Sequence, residues 1–357
     1  MLGSLGLRRK FVLVTLTIFA LVSLAAFIAL RGVVEQVTEN LGQAYAGKYA
    51  LASSALVREP LEREIALSRL MADSPTVRAW VCAEDDPVKR ARALAELESY
   101  RARFSEKSWF VITNQSLHYY FDDETHGYGE SKLAYTLAPE EQKDAWYFAT
   151  IRDVADFAVN VNYDYVLDTY RVWINVVMRQ PDGTVVGLAG TGLDLSEFLS
   201  RTVDNAESGV ENIFLDHRLA IQAHRNRALI DQHSIAKSTE DLSTVGRLVP
   251  KPEDLAAMEA AFRRLEEGSP AETFFVTMNG RRQIVGAAYV PSLQWYVLSF
   301  LDLKEVIGRQ LFLPLVTLGF GLAVLLIVVV SMFVNLMLLA PISEITAAAK
   351  SIAEGNY

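Results

Sequence analysis

The chain has 357 residues with 34 Lys and Arg against 43 Asp and Glu, a formal net charge of −9. That balance gives no electrostatic footprint for a nucleic-acid partner. The single cysteine, Cys82, excludes an internal disulfide framework, and it is expected as a small buried side chain on a helix.

Two uncharged runs bracket everything else: Phe11 to Leu30, twenty residues, and Leu311 to Ala340, thirty residues. As a helix the first rises roughly 30 Å, the hydrocarbon thickness of a bilayer. It is longer than the apolar stretch of about 7–15 residues in a cleaved signal peptide, so an uncleaved anchor is the favoured reading. Arg8, Arg9 and Lys10 precede it, which puts residues 1–10 in the cytoplasm and 31–310 outside it. Neither run carries an intramembrane charge that a transporter or channel would need.

From Arg31 to about Ala72 helix formers dominate. Val34, Val37, Leu41 and Tyr45 make one apolar stripe, continued by Leu56, Leu61, Ile65, Leu67, Leu70 and Met71. A local break is expected at Pro60. The helix is too long for a small domain to cover, so its outer part is expected to pair with a second copy as a dimer stalk. Ser74-Pro75 ends it, and two shorter helices follow, with Pro87 after Asp85-Asp86 at the start of the second.

Strand signals begin at Trp109. "SWFVIT" and "LHYYFD" flank a polar turn at residues 114–116, and residues 138–153 read as a helix with Pro139 near its start. "FAVNVNYDYV", "YRVWINVVMRQ" and "TVVGLAGTGLDL" are three strands, the last two joined at Pro181-Asp182-Gly183. A short helix is expected over Ser196 to Val203. After about Gly209 the plan repeats: "ENIFLD", "LAIQAH", a polar and helical insert, two runs around an Asn279-Gly280 turn, and "LQWYVLSFLD". Each half thus reads as a sheet of about five strands. Lys304 and Glu305 begin the descent into the second span, in which Pro314, Gly319 and Gly321 offer a bend near the outer end. Beyond it Ile342, Ile345, Ala349 and Ile352 form a heptad seam entered at Pro341 and left at Gly355. The abrupt stop at Tyr357 suggests a fragment of a longer chain.

No catalytic set emerges. His118, His126, His217, His224 and His233 sit in hairpins and polar inserts without metal-ligand spacing. "GLAGTG" is a weak glycine pattern followed by Leu-Asp-Leu rather than a long helix, which fits close packing in a strand better than a dinucleotide site. No catalytic residue, metal or cofactor is therefore expected.

In order, these features resemble a bacterial receptor with a double Cache (dCache) sensor domain. "PDGTVVGLAGTGLDLSEFL" resembles the late strands and following helix of the membrane-distal module. "IFLDHRLAIQAHRNRALID" resembles the opening hairpin of the proximal module, and "VPSLQWYVLSFLD" the closing strand. Ile352, Ala353 and Gly355 resemble the "IA-x-G" end of the first HAMP helix. The resemblance implies an α+β fold in which two tandem PAS-like antiparallel sheets follow a long N-terminal helix between two transmembrane helices. Its expected segments are 1–10 cytoplasmic, 11–30 first span, 31–105 helical stalk, 106–205 distal module, 206–310 proximal module, 311–340 second span and 341–357 HAMP-like helix. The place implied is the bacterial inner membrane, crossed twice, with 31–310 periplasmic and a homodimer formed through stalk, transmembrane and HAMP helices.

The function implied is sensing of a small ligand by the distal module and transmission to a cytoplasmic output: a chemoreceptor domain, diguanylate cyclase, histidine kinase or PP2C-type phosphatase. The alternative is an ectodomain that binds a partner protein, which a closed distal face would favour. Trp146 and Tyr147 resemble the aromatic pair of the family's pocket lid. Candidate ligand-binding residues are these two with Tyr120, Asn162, Asp164, Trp173 and Asn175; Asn162 and Asp164 share one strand face by parity. Amino-acid-binding members carry an arginine where this chain has Asp144 and an aspartate where it has Gly192. Both departures disfavour an amino acid, and a carboxylate ligand is disfavoured unless Lys143 or Arg171 turns inward.

Overall fold

The computed structural model describes residues 7–164, 169–204, 206–232, 234–278, 280–302 and 313–354. Asn279 of the expected turn, His233, Lys304, Glu305 and Gly355 lie outside them. The chain divides into two units, Gly42–Val306 and Met1–Leu41 with Ile307–Tyr357.

Helix α1 runs from Leu7 to Asp73 and remains helical through Pro60, so the expected break is absent. Proline removes the bond to the carbonyl four residues back. That carbonyl belongs to Leu56, whose 56% exposure leaves water to satisfy it. Within Gly42–Val306 the inward stripe of α1 is Ala46, Ala50, Ser53, Val57, Leu61, Ile65, Ser68, Met71 and Ala72, all buried. Leu56 and Leu70, expected on that stripe, face outward; small and polar residues occupy the inner positions instead. Ser74 stops α1 and caps α2 (Pro75–Val81), its Oγ accepting from Val77 N at 3.2 Å. Asp86 caps α3 (Pro87–Arg101), its Oδ1 accepting from Val88 and Lys89. Cys82 is exposed, not buried, because it follows the last turn of α2 instead of sitting on its inner face.

The fold is α+β, with two antiparallel sheets strung on α1. The first has six strands: β1 (Trp109–Thr113), β2 (His118–Asp122), β3 (Leu133–Thr136), β4 (Phe157–Asp164), β5 (Thr169–Arg179) and β6 (Val185–Asp194), in the order β3-β2-β1-β6-β5-β4. β3 is the strand that the sequence reading passed over. The helix expected over 138–153 is shorter, α4 from Ala145 to Asp153 behind a single 3₁₀ turn, since Pro139 keeps Ala138 out of helix and residues 138–141 close a turn instead, Glu141 N donating to Ala138 O at 3.1 Å. After α5 (Leu195–Leu199) and a π turn at Ser200–Asp204, the second sheet begins. Its strands are β7 (Val210–Leu215), β8 (Ile221–Ala223), β9 (Glu272–Met278), β10 (Arg281–Val290) and β11 (Trp295–Leu301), in the order β8-β7-β11-β10-β9, with α6 (Pro252–Glu266) between β8 and β9.

Each sheet has two apolar faces. On the first, Trp109, Val111, Ile174, Val176 and Met178 pack against Leu61, Met71, Trp80, Leu97 and Phe104 of the helical layer. On the second, Ile213, Phe274, Val285, Tyr296 and Leu298 pack against Met258, Phe262 and Leu265 of α6. Its other face meets α1, where Ala46 joins Val210, Ile284 and Leu301.

Glu84, in the turn between α2 and α3, fastens the helical layer to the β1–β2 hairpin. It accepts from Ser116 Oγ at 2.6 Å, from Tyr120 OH, and pairs with His118. Burial pushes its carboxyl up, but the bonds from Ser116, Tyr120 and His118 together hold it below the ordinary glutamate value of 4.5. A depressed carboxylate stabilises the fold above its unfolded value and ceases to do so as pH falls through its folded one. Glu84→Gln is therefore expected to cost about 1–3 kcal/mol at neutral pH. Chemical denaturation repeated near pH ~3.5 should show that cost shrinking; an unchanged cost would mean that charge plays no part in the fastening.

In the other unit, α7 (Leu313–Val334) continues through Gly319 and Gly321, with Pro314 as its second residue. The departure from regular helix comes later, as a π turn at Asn335–Leu339 before α8 (Ala340–Ala353). Pro341 supplies a reason, since it cannot donate back into the preceding turn. Two helices, one near the N-terminus and one beginning near Thr317, are long and apolar enough to cross a membrane. Their large side chains are exposed, among them Leu21, Ile28, Leu322 and Phe333, and Ile342, Ile345 and Ile352 of α8 likewise face outward.

Candidate ligand-binding site

Strand pairing fixes which side chains share a face. Asn160 lies opposite Trp173, Asn162 opposite Arg171 and Asp164 opposite Thr169. Across the next ladder Trp173 meets Gly192, Asn175 meets Gly190 and Arg171 meets Asp194, and Gly190 pairs onward with Phe110. Directly opposed residues point the same way. One face of the first sheet therefore presents Asn160, Asn162, Arg171, Trp173, Asn175 and Phe110, and α4 lies over its aromatic half.

That half is closely packed. Phe110, Ile112, Tyr119, Phe121, Trp173 and Leu188 form one cluster with Tyr147 of α4, and Trp146 packs beside it. Trp173 stands edge-on to Phe110 with ring centres 5.5 Å apart, and Tyr119 stacks on both Phe110 and Tyr135. The Tyr147 hydroxyl donates to Asn114 Oδ1 at 3.1 Å, and burial pushes it well above the ordinary phenol range.

Glycines on β6 make room for these rings. A Cβ at Gly192 would lie 2.8 Å from the Trp173 ring and 3.0 Å from Arg171 Cδ; at Gly190 it would lie 2.8 Å from Phe110.

Of the seven residues singled out from sequence, Trp146, Tyr147, Trp173, Asn162 and Asn175 come together on or over this face. The backbone of Asp164 ends β4 at the same parity; its side chain lies outside what the structure describes. Tyr120 is not among them. It sits on the opposite face, 4.9 Å from the Trp80 ring, and its neighbour Tyr119 takes the position on the α4 side.

The polar end of the face has unmet hydrogen-bonding capacity. Asn175 Nδ2 donates to Asn160 Oδ1 at 2.7 Å. The other halves of both amides, Asn175 Oδ1 and Asn160 Nδ2, are buried with no hydrogen-bond partner among the described residues, as is Arg171 Nε. Buried polar atoms are almost always satisfied, so one acceptor, one donor and a guanidinium N–H left over on adjacent strands are an exception on this face. Arg171 otherwise reaches Gly192 O at 3.3 Å, with its guanidinium 5.9 Å from the Trp173 ring centre.

Asn160, passed over in the sequence, was signalled by the period-two run Asn160, Asn162, Asp164.

Asp144 does not threaten an anionic ligand. Its carboxylate is buried and turned to its own chain, accepting from Ala138 N at 2.9 Å and from Tyr135 OH at 3.4 Å. Burial raises its carboxyl, so part of its charge is given up more readily than at the surface.

No family model matches the chain. Solved structures share its architecture. The periplasmic sensory domain of the Campylobacter jejuni chemoreceptor Tlp1 superposes with a TM-score of 0.55 at 12% identity, over 76% of this chain and 99% of that one. The ligand-binding domain of the Pseudomonas fluorescens chemoreceptor CtaA, in complex with L-isoleucine, gives 0.51 at 14% identity over 76% and 95%. That of the Pseudomonas aeruginosa PAO1 amino acid chemoreceptor PctB, in complex with L-Arg, gives 0.50 at 12% over 74% and 96%. The chain carries the fold of the ligand-binding domains of bacterial chemoreceptors.

Proposed function

We propose that the chain is a two-pass inner-membrane receptor whose periplasmic residues 31–310 form a double Cache sensor, and that a small polar solute binds on the α4 face of the first sheet. The observation that carries this reading is that Asn160 Nδ2, Asn175 Oδ1 and Arg171 Nε, all on one face of the sheet, find no hydrogen-bond partner among the described residues. The assignment divides the sensor into a helical stalk (31–105), a distal module (106–205) and a proximal module (206–310). It makes residues 341–357 the first helix of a HAMP-like module, and the receptor a homodimer through its stalk, transmembrane and HAMP-like helices.

The solved neighbours CtaA and PctB are complexes with L-isoleucine and L-Arg, yet an α-amino acid is disfavoured here. The position where the resemblance implies an amine-binding aspartate is Gly192, and the Trp173 ring leaves it no room for a side chain. Arg171 on the same face restores a carboxylate, or any anionic or strongly hydrogen-bonding group, to the candidates. Ligand binding shifts the first sheet on its helix, and a coupling of about 1–3 kcal/mol suffices to bias a two-state signal. The segment carries no catalytic role in this reading.

The test is a thermal-shift screen of the full chain in detergent against organic acids, sugars, amides, amines and nucleobases. A ligand at about a hundred times its dissociation constant adds roughly 2.7 kcal/mol of stability. The expected result is a rise in melting temperature for one class, lost in Asn175→Ala. A flat response across the panel sinks the proposal. It would then favour the second reading, an ectodomain that binds a partner protein, which the tight packing over Trp173 (5% exposed) already supports in part.

A further inference from the structure

The outer edge of β4 carries main-chain groups that the first sheet does not use. β4 is the last strand of the first sheet, so one side of its backbone has no strand beside it. Asp156 O accepts from Val177 N at 2.8 Å, on the β5 side, whereas the Val161 N–H points away from β5 and donates to Gln222 Oε1 at 3.3 Å. Main-chain groups of alternate residues leave an antiparallel strand on the same side. Phe157 and Val159 therefore turn their N–H and C=O groups outward with Val161. Among the described residues, no hydrogen bond meets the outward main chain of either.

This edge borders a cavity of about 690 Å³ between the two sheets, within the range of roughly 300–1,000 Å³ usual for small-ligand sites. Trp295, together with the β10–β11 turn, supplies an apolar wall. Charges of both signs line it: Arg69 paired with Asp156 on one side, Arg218 beside Asp216 on the other. Arg218 spends its guanidinium on Ser234 O and Lys237 O, at 3.0 and 2.8 Å, which anchors that wall.

An unpaired strand edge is matched by another extended backbone, whose donors and acceptors recur at the same rise of about 3.4 Å per residue. Sugars and small acids carry no such ladder. A short peptide does.

We infer that this cleft binds a short extended peptide, added as a strand to β4 through the outward main chain of Phe157 and Val159. The cleft touches the α4-face site at Asn160, which lines both, but it would hold its ligand through the main chain of β4, not through side chains on that face.

The probe is tetra-alanine, titrated calorimetrically into the full chain in lipid nanodiscs, because main-chain recognition tolerates any side chain. Saturable binding is expected. Tetra-alanine N-methylated at its central residues loses the donors the strand needs, and is expected to bind at least about tenfold more weakly. Val159→Pro removes the outward N–H while leaving the β5 ladder intact, and edge strands accept proline; a similar tenfold loss is expected. Trp146→Ala, at a residue that packs over the α4 face and does not line the cleft, should bind the peptide unchanged, which separates this site from the α4 face. No binding of tetra-alanine to the unmodified chain, or equal binding of its N-methylated form, overturns the inference. The second comparison needs no variant, so it decides the matter even if Val159→Pro folds poorly.

Discussion

Gly286→Val is expected to lower the melting temperature by roughly 6–12 °C, corresponding to about 3 kcal/mol in a folded unit of this size. Gly286 lies in β10 where α1 crosses the second sheet. A Cβ there would sit 1.9 Å from the carbonyl oxygen of Ala46 and 2.3 Å from its carbonyl carbon. Both obstacles are backbone, which cannot rotate aside as a side chain can. Accommodation requires lifting α1 off the sheet, which would uncover Ala46, Val210, Ile284 and Leu301, all buried in that contact. Gly47→Ala is the control on the same interface. Its new methyl would meet Thr273 Cγ2 at 3.5 Å, ordinary contact distance, and helical Gly→Ala is worth about 0.5–1 kcal/mol in favour of the fold. Thermal melts followed by circular dichroism compare the two. A melting temperature for Gly286→Val within a degree or so of the parent (about 0.3 kcal/mol) would mean that α1 does not seat on β10 as closely as the contact requires.

The Gly286 contact also shows where sequence reading succeeded and where it ran out. The α+β plan, two sheets and their order along the chain, was legible because apolar alternation, turn residues and uncharged runs are all local signals. The seating of α1 was not. Its inner stripe includes Ala46, Ala50, Ser53 and Ser68, small and polar side chains that a search for apolar periodicity discounts in favour of Leu56 and Leu70. Both of those proved to face outward, at 56% and 60% exposure. The stripe is small because the helix must approach the sheets closely, which is a tertiary demand.

The same limit separates the two tyrosines of β2. In "HYYF" aromatic residues fall on both parities, and both faces of the sheet are apolar, so nothing in the string says that Tyr119 rather than Tyr120 faces α4. β3 escaped notice for a related reason. Its four residues follow a polar, glycine-bearing stretch, and its pairing with β2 contains a bulge, so it shows little alternation of its own. By contrast, Asn162 and Asp164 could be placed on one face from strand parity alone, while their sharing that face with Trp173 and Asn175, and the bond joining Asn175 to Asn160, depend on the β4–β5 register.

Gly192→Asp is expected to cost about 3 kcal/mol, although it restores the residue type that the resemblance implies for amine recognition. Space is the first obstacle: the new Cβ would lie 2.8 Å from two carbons of the Trp173 ring and 3.0 Å from Arg171 Cδ. Unlike the backbone facing Gly286, these are side chains, so the conflict can be relieved by a second substitution. Trp173→Ala alone is expected to cost a further 3–5 kcal/mol, roughly the value for a large aromatic lost from a core, because Phe110 would lose its edge-on partner. If the ring is what excludes a side chain at 192, the double variant should be more stable than the two single costs predict when added. The coupling should be about 1–3 kcal/mol, as for residues in direct contact. Arg171 enters the same cycle from the other side, since its Cδ lies 3.0 Å from the position of a Cβ at 192 and a carboxylate there would offer an acceptor to its Nε, which meets none among the described residues. Chemical denaturation of the four proteins measures the coupling directly. Additive costs would show that Trp173 does not fill the position, and an amino acid would then regain its place among the candidate ligands. A clear positive coupling would instead show that the Trp173 ring occupies the space a side chain at 192 needs, which is what the 2.8 Å approach implies.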